Sequence, residues 1–576
     1  MLQIIFDFVK KNKLVFACLL ISLVFLFKNL GNIYFWSDEA YTAVNARNSI
    51  TFGYPKSFDG RNIIQAYWLV NGKLKLTPYY RTMPWLHIYM AAASFAWLGF
   101  TTFAGRLPFA ITGFMALVSV FLFMRKYERE EFITRTAVVL LTFCIPFFLY
   151  MRQCRYYAPA TLFTVLGAWG YLDFYHTGRK RWFILAAIFL FLSLQSAFVV
   201  LMLGIFIHAL LRLDRERFKQ LVISGVWISL AAVPVIIMLR LWEQPADMVD
   251  WEKGFLPGKY FSRFISYLLN INDFVFPLLL IAIFLVWGFK RKLFNRAVFA
   301  GREHVTLLAI LVVANILFLS VAAPQNFRLM VQHLPLICIL GAYVIYFFKQ
   351  RLGNAAAAAL IVLTTAANVP HIAPYYVIRA SQIPVILEKL PNSKYVLLAK
   401  WGMMYKMNEH MELRSHVREF LYEITHDYDG PIEGIARYIN AHAGEDDIVK
   451  VSYGDYALQF YTDRLVIPRG EITNEIIPDW LILRGRYWMS RQHNPPLDKY
   501  FAPLIQREFE KIALNNYPEM SWENLPEPEY HKYKTPEIGG DVEPVVIYRR
   551  KKPYPRMSRE EKLKMIGQLW ERILNK

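Results

Sequence analysis

The sequence has few charged residues and few cysteines, and it lacks the common nucleotide-binding motifs. Charged side chains make up 19% of the 576 residues, whereas a soluble domain usually has about a quarter. The four cysteines form neither a CxxC pair nor a zinc-binding spacing, which argues against a disulfide scaffold and a structural metal. No DxD run in a soluble loop, GxGxxG or P-loop occurs, and no face interleaves basic with aromatic residues as nucleic-acid binding requires. The composition excludes a soluble globular enzyme and indicates no nucleic-acid partner.

Hydrophobic residues are abundant, and they arrive in long blocks. They make up 56% of the chain, in blocks of about 15 to 25 residues, a length that suits a bilayer. The formal net charge is +20, and Lys and Arg concentrate in short loops between the blocks, as they do in cytoplasmic loops. The sequence therefore predicts a polytopic α-helical membrane protein that carries one soluble domain.

Charge placement predicts how the chain crosses the membrane. Lys10, Lys11 and Lys13 hold the N-terminus in the cytoplasm, and the first span, about residues 14–30, lacks a cleavage site and is expected to be retained. Keeping the later basic loops in the cytoplasm requires residues 84–100 to be an interfacial or re-entrant helix, so that 31–106 forms one external loop. Residues 182–211 are expected to form two short helices that turn near Gln195 and Ser196. About eleven transmembrane helices result, the last near 355–373.

Three segments are predicted: a transmembrane domain over 1–378, an external α/β domain over 379–555 and an amphipathic helix over 556–576. Strands are expected at 447–452, 465–468, 480–483 and 545–548. Ser558 and Glu561 have the spacing of a capping box at the start of the last helix. The apolar face of that helix either docks on the external domain or lies on the membrane.

The segment WSDEAY at 36–41 places two adjacent carboxylates just after the first span. Acids are costly near lipid, so this pair needs either solvent or a cation. Asp38 has two interpretations: it caps a helix that begins at Glu39, or it is a carboxylate positioned as a base or metal ligand at the membrane surface.

Two stretches around this pair carry a family pattern. They read WSDEAYTAVNARNSITFGYP and YYRTMPWLHIYMAAASFAWLGFTTFAGRLPFA, with Gly53, Pro55, Pro84, Gly99 and Arg106-Leu107-Pro108 in order. Together with YMRQCRYYAP and NFRLMVQHLPLICIL, they resemble the C-type integral membrane glycosyltransferases, in particular the protein-mannosyltransferase-like and lipid A aminoarabinose-transferase-like branches. The resemblance covers roughly residues 30–340.

The resemblance implies an inverting glycosyltransferase in a bacterial-type cell inner membrane. A sugar would pass from a polyprenyl-phosphate donor to a lipid, glycan or protein acceptor at the external, periplasmic face, with 31–106 as the catalytic loop. Asp38 is the expected base, and Glu39 is either a second catalytic acid or a structural one. The candidates for donor phosphate binding are Arg81, Arg155 and Arg328, and those for further substrate contacts are Arg106, Tyr157, Gln332 and His333.

Each candidate also has a plain structural interpretation. Arg155 and Arg328 are alternatively snorkelling residues at helix ends. Arg106 is expected to pair with Asp38 or Glu39 or to brace the loop, and Gln332 with His333 is equally a packed polar pair. Two departures from the family pattern matter. Gln153 stands where relatives often carry an acid, so no metal or other cofactor is expected, and Met83 stands where some relatives carry Lys.

A transporter or flippase of lipid-linked saccharides is the alternative function. Transporters usually show repeated halves and charges within the spans, whereas here no internal repeat is visible and the charges lie at one membrane edge. A non-catalytic receptor or assembly subunit is the third possibility, and it leaves the Asp38-Glu39 pair without a role.

Overall fold

The computed structural model describes a largely helical chain with one mixed sheet near its C-terminal end. The described residues are 11–64, 67–70, 73–243, 257–290, 302–321, 326–380, 412–467, 476–484, 496–519, 526–528, 531, 544–551 and 557–574. The parts of the predicted segments that fall between these ranges, residues 381–411 among them, lie outside the described residues.

Sixteen helices precede residue 381 in the described part of the chain, and four of them are both long and apolar enough to cross a membrane. They are α1 Lys13–Phe27, α2 Ser37–Phe52, α3 Leu86–Leu98, α4 Thr102–Tyr127, α5 Glu131–Thr142, α6 Ile145–Met151, α7 Tyr157–Thr177, α8 Arg181–Ser193, α9 Gln195–Arg212, α10 Arg215–Leu239, α11 Pro257–Phe274, α12 Leu278–Lys290, α13 Glu303–Leu319, α14 Leu334–Leu352, α15 Asn354–Ala366 and α16 Val369–Ala380. By the same criteria the number reaches seven when each of three bent helix pairs counts as one span. The membrane location is supported, while the count of eleven stays a prediction.

Two of the three bent pairs break for identifiable reasons, one at a proline and the other at a long-range side-chain contact. Helices α5 and α6 meet at 59°, where Pro146 opens the second helix and supplies no N–H to the first. The predicted last span over 355–373 is not one straight helix. Helix α15 ends at Ala366, Ala367 is extended, and α16 leaves at 94°. The Asn368 side chain holds this break, since it donates to the carbonyl of Glu412 (2.9 Å) and accepts from the amide of Arg414 (2.8 Å).

The predicted break between two helices within 182–211 is confirmed, but only the first helix is too short to cross a membrane. Leu194 is extended (φ −156°, ψ 109°) and separates α8 from α9. At 1.5 Å per residue, α8 spans only about 20 Å, less than the roughly 30 Å hydrocarbon core. Helix α9 has 18 residues and is longer than expected.

Residues 31–106, predicted to form an external loop, contain a short apolar helix that is shorter than a full span. Helix α3 has 13 residues and ends at Gly99, whose φ of 80° suits glycine. Trp97 and Phe100 are exposed at its tip, which is consistent with an interfacial position. A two-stranded antiparallel hairpin, β1 Tyr67–Val70 with β2 Lys73–Leu76, precedes it and was not predicted.

The C-terminal part is built on a five-stranded mixed sheet in the order β4-β3-β5-β7-β6. The strands are β3 Ile448–Val451, β4 Leu465–Ile467, β5 Trp480–Ile482, β6 Phe509–Pro518 and β7 Pro544–Arg550, and the helices are α17 His416–Thr425, α18 Pro431–His442, α19 Asp455–Tyr461, α20 Pro496–Glu508 and α21 Arg559–Leu574. Strand β3 pairs in parallel with β4 and β5, whereas β7 runs antiparallel to β5 and β6. Four of these strands lie where strands were predicted.

The last helix docks on the sheet. The capping box is confirmed, because the Ser558 amide donates to Glu561 Oε2 (2.7 Å) and the Glu561 amide donates to Ser558 Oγ (3.2 Å). Ile566, Leu569 and Trp570 are buried in one cluster with side chains of β3 and β4. Of the two expectations for this helix, packing on the protein is the one observed.

Candidate active site

The site begins where α2 follows α1. Trp36 is extended (φ −75°, ψ 170°), α2 starts at Ser37, and Gly53 ends it in the left-handed region at φ 81°. Asp38 and Glu39 therefore lie in the first turn, where the helix dipole favours negative charge. The capping interpretation of Asp38 is wrong, because Trp36 is the N-cap residue and no side chain caps this end.

Glu39 forms a buried, two-pronged ion pair with Arg106 of α4. Arg106 Nε donates to Oε1 (2.8 Å) and Nη2 donates to Oε2 (2.7 Å), with side-chain exposures of 0% for Glu39 and 5% for Arg106. Arg106 Nη1 also donates to the carbonyls of Leu30 and Ile33, and the Cys154 amide donates to Glu39 Oε1 (2.8 Å). This pair joins α1, α2, α4 and the segment after α6, which is a structural arrangement.

Asp38 faces two other arginines. Its Oδ2 accepts from Nη1 of Arg328 at 2.9 Å and lies 3.6 Å from Nη2 of Arg155. Arg155 Nη1 also donates to the backbone carbonyl of Asp38 and to Thr42 Oγ1, both at 3.2 Å. The side chains of Asp38 and Arg328 are about one-third exposed, at 30% and 29%, whereas Arg155 is buried at 9%. The structure thus brings together three of the residues proposed for catalysis and phosphate binding.

Both arginines stay protonated in this setting. Burial acts to lower the pKa of the Arg155 guanidinium, but the Asp38 carboxylate and nearby tyrosines outweigh it, and the net shift is upward. The pKa of Arg328 is also raised, because Asp38, the neighbouring tyrosines and Glu527 outweigh its burial. Two fixed positive charges therefore lie at one partly open carboxylate, which is an arrangement suited to an anion.

The segment between α6 and α7 holds this cluster in place. Arg152 donates to the carbonyls of residues 25, 26, 28 and 29 at 2.8 to 3.2 Å, which satisfies the free carbonyls at the end of α1. Gln153 accepts from the indole N–H of Trp36 at 2.6 Å. Gln153, which replaces the acid of the family pattern, thus has a structural contact in this protein.

The other predicted residues lie in different surroundings. Arg81 Nε donates to the carbonyl of Leu239 at 3.3 Å, at the end of α10. Gln332 donates to the carbonyl of Leu329 (2.8 Å) and is buried, as a packed residue would be. His333 is fully buried, and neither ring nitrogen has a hydrogen-bond partner among the described residues.

Tyrosines and a histidine that the sequence did not single out surround the arginines. Tyr157, which was predicted, packs against Tyr156 (ring centroids 4.6 Å apart) and Tyr150 (4.8 Å). His87 of α3 lies between Tyr80 and Tyr156, with ring centroids 6.3 and 6.0 Å away. Burial raises the pKa of Tyr80 to about 12, so its hydroxyl remains a neutral hydrogen-bond donor. These contacts join two separate stretches of sequence, 80–87 and 150–157, and no spacing pattern would have found them.

The C-terminal part also reaches the site. The Tyr461 hydroxyl accepts from the Phe35 amide (2.9 Å) and lies 2.7 Å from Thr102 Oγ1, and Glu433 accepts from the Tyr34 amide (2.7 Å). Glu527 places Oε1 3.7 Å from Nε of Arg328. Its side chain is only 8% exposed. Nothing in the local sequence around Glu527 signals this contact.

Within the described ranges, no three His, Cys, Asp or Glu side chains converge as a metal site would require. The carboxylates nearest the site, Asp38 and Glu39, are held by arginines instead. The expectation that no metal or cofactor is needed stays a prediction.

Comparison with solved structures identifies the fold. No protein-family model and no curated protein sequence matches this chain. The structure of ArnT from Cupriavidus metallidurans bound to undecaprenyl phosphate is similar over 93% of this chain and 97% of that one, with a TM-score of 0.51 and 16% identity. The apo ArnT structure is similar over 86% and 95%, with a TM-score of 0.51 and 17% identity.

The chain has the ArnT fold. The similarity spans nearly the whole of both chains. The resemblance to C-type integral membrane glycosyltransferases, predicted from motifs over residues 30–340, is confirmed at the level of the fold.

Proposed function

We propose that this protein is an inverting membrane glycosyltransferase that takes a sugar from a polyprenyl-phosphate donor and transfers it to a lipid, glycan or protein acceptor. The reaction takes place at the external face of a bacterial-type inner membrane, with the N-terminus in the cytoplasm and the C-terminal part external. The observation that carries the proposal is the position of Asp38, whose Oδ2 lies 2.9 Å from Arg328 and 3.6 Å from Arg155. The ArnT fold, seen elsewhere with undecaprenyl phosphate bound, supports the choice of donor.

The two arginines suit the leaving group of this reaction. Breaking the bond between the anomeric carbon and the phosphate oxygen leaves both bonding electrons on that oxygen. Arg328 and Arg155 are positive, and guanidinium donors match the spacing of phosphate oxygens. They therefore stabilise the charge that develops as the lipid phosphate departs.

Asp38 suits the proton of the incoming acceptor. A hydroxyl is roughly ten pK units less acidic than a carboxylic acid, so Asp38 accepts the proton only as the new bond to the sugar forms. The hydroxyl attacks the face opposite the phosphate and the anomeric configuration inverts in one step. One base and one stabilised leaving group are sufficient, and Glu39 remains a structural partner of Arg106.

The proposal is tested with the purified full chain in proteoliposomes, using a radiolabelled sugar on polyprenyl phosphate and an acceptor fraction from the membrane. The wild type should transfer label, and Asp38→Asn should bind the donor without transferring it. Translocation of the labelled donor across vesicles with no acceptor present, by wild type and Asp38→Asn alike, would contradict the proposal and favour the flippase alternative.

A further inference from the structure

A cavity of about 320 Å³ lies between the start of α1 and the turn that joins α4 to α5. The candidate active site uses none of the residues that line it. Five basic and two acidic side chains contribute to its wall. The bases are Lys11, Arg125, Lys126, Arg129 and Arg135, and the acids are Glu128 and Glu131. The net charge of the cavity depends on where these side chains find partners.

Glu128 is neutralised from outside the cavity. Its side chain is 2% exposed, and the hydroxyl of Tyr343 on α14 donates to its Oε2. Nε of Arg302, directly before α13, lies 3.3 Å from the same oxygen. Neither Tyr343 nor Arg302 lines the cavity, so this acid cancels none of the five bases.

The other acid is shared between two bases. Glu131 accepts from Arg135 Nη2 at 2.5 Å and lies 3.7 Å from Lys11 Nζ. Lys126 pairs with Asp173 of α7, outside the cavity. When Lys126 is set aside for that reason, four bases remain against the single acid Glu131, which is an excess of three positive charges. The cavity is therefore suited to an anion.

The cavity and the candidate active site lie about one hydrocarbon thickness apart. Both are built on α4, with Arg106 near its start and Arg125 near its end. The 19 residues between them correspond to about 29 Å at 1.5 Å per residue, close to the roughly 30 Å hydrocarbon core. The cavity therefore lies at the level of the lipid headgroups in the leaflet opposite the candidate active site.

Apolar residues continue from the cavity into the membrane. Val15 and Phe121 line the cavity on its membrane side. Next to them in the chain, Leu14 and Leu122 are 51% and 43% exposed. Leu122 precedes Arg125 by three residues and so lies one turn deeper on the same face of α4. An anion that carries acyl chains can place them along these side chains, whereas a soluble anion gains nothing from them.

We propose that this cavity binds the phosphodiester headgroup of an anionic glycerophospholipid from the leaflet opposite the candidate active site. Basic pockets between transmembrane helices bind such headgroups, and guanidinium groups match the spacing of phosphate oxygens. Arg129 is exposed and forms no ion pair among the residues that the structure describes. Membrane topology also favours basic residues at this end, but it requires neither a cavity nor an apolar path beside it.

The test measures lipid binding by native mass spectrometry on the purified full chain in a nonionic detergent. Phosphatidylglycerol should bind more tightly than phosphatidylcholine, which has the same phosphate but a compensating ammonium. Lys11→Gln combined with Arg129→Gln removes two exposed bases. Each base near an anionic headgroup contributes roughly five- to sixfold in affinity, so the dissociation constant for phosphatidylglycerol should rise about 30-fold.

The matched control is Arg179→Gln combined with Arg181→Gln. It removes the same charge from two exposed residues between α7 and the start of α8, outside the cavity, and should bind phosphatidylglycerol as the wild type does. Equal weakening in both double variants would mean general surface attraction and would overturn the inference. Equal affinity of the wild type for the two lipids would overturn it too. Inorganic phosphate that displaces phosphatidylglycerol with the same affinity as the lipid would assign the cavity to a soluble anion instead.

A second measurement needs no variant and covers the case in which the double variant does not fold. Phosphatidylglycerol should slow amide hydrogen exchange in the wild type over residues 128–131, because the lipid ties this turn to α1. Phosphatidylcholine should not, and the turn at 178–181 should exchange equally with either lipid. Unchanged exchange at 128–131 with phosphatidylglycerol would contradict the proposal.

Discussion

Asp38 and Glu39 are neighbours in the first turn of one helix, and each pairs with arginine, but the two pairs differ in burial and in the completeness of their bonding. Both oxygens of Glu39 are held by Arg106, and the pair is almost inaccessible. Only one carboxylate oxygen of Asp38 accepts a hydrogen bond from Arg328, and the Asp38 side chain is 30% exposed. Successive residues on a helix point about 100° apart, so one acid faces the packed helices and the other faces an open edge. Adjacent acids can thus divide into a structural and a reactive one.

The largest expected effect is the loss of transfer in Asp38→Asn. Removing a general base typically costs 10²–10⁴-fold in rate, and a partly exposed side chain should leave the thermal midpoint unchanged. Transfer of labelled sugar and thermal unfolding are measured on the same membranes. Glu571→Gln, an exposed acid on α21, is the control. Wild-type rates in Asp38→Asn would remove Asp38 from the mechanism.

Glu39→Gln should show the opposite pattern. Removing one partner of a buried ion pair leaves Arg106 uncompensated and destabilises a protein by about 3–5 kcal/mol. We expect a lowered thermal midpoint and low abundance, and partial recovery when Arg106→Gln is added. A Glu39→Gln protein that is as stable as the wild type but inactive would instead make Glu39 a second catalytic acid.

A smaller effect is expected from Arg328→Lys. Lysine keeps the charge but loses the forked donors that fit a phosphate, so donor KM should rise about tenfold with little change in stability. Arg155→Lys, at the more buried position, should lose stability as well, since Arg155 Nη1 bridges the Asp38 carbonyl and Thr42. The KM for the donor is measured by steady-state kinetics at varied donor concentration. An unchanged KM in Arg328→Lys would argue for a helix-end role.

The smallest effect is expected from metal removal. The anionic groups at the site are neutralised by arginine, so dialysis against EDTA should change the transfer rate by less than about twofold. Inactivation by EDTA that Mg²⁺ or Mn²⁺ reverses would overturn the expectation that no metal is needed. Asp38 or Glu39 would then have to leave its arginine to serve as a ligand.

Much of the fold was predictable because its signals are local. Apolar blocks and basic loops locate α4, α9, α10 and α14 to within a few residues, and a break within 182–211 follows from the basic residues on both flanks. The bend within the predicted span over 355–373 was not predictable, because it occurs where Asn368 contacts a segment more than forty residues later in the chain. An uninterrupted apolar run does not reveal that its middle is bonded to another part of the protein.

The same distinction applies to the site. The order of the motifs indicated Asp38, Arg155 and Arg328. In the structure, both arginines lie within 3.6 Å of Asp38 Oδ2. Arg81, which the resemblance also implied for phosphate binding, lies against Leu239. The sequence did not indicate four further residues near the site, which are Thr42, Tyr80, His87 and Glu527. A single hydroxyl, ring or acid forms no periodic pattern, so its role is visible only from its tertiary contacts.

The sequence by itself determined the membrane class, the helical blocks and the presence of two carboxylates next to the first span, because hydrophobicity and charge act on contiguous residues. Only the tertiary structure decided which carboxylate is buried by Arg106 and which meets Arg328, across sequence separations of 67 and 290 residues. It also decided that the C-terminal part contributes Glu527 to the same arginine. Ion pairs between distant residues depend on how helices end and pack, so no local sequence pattern predicts them.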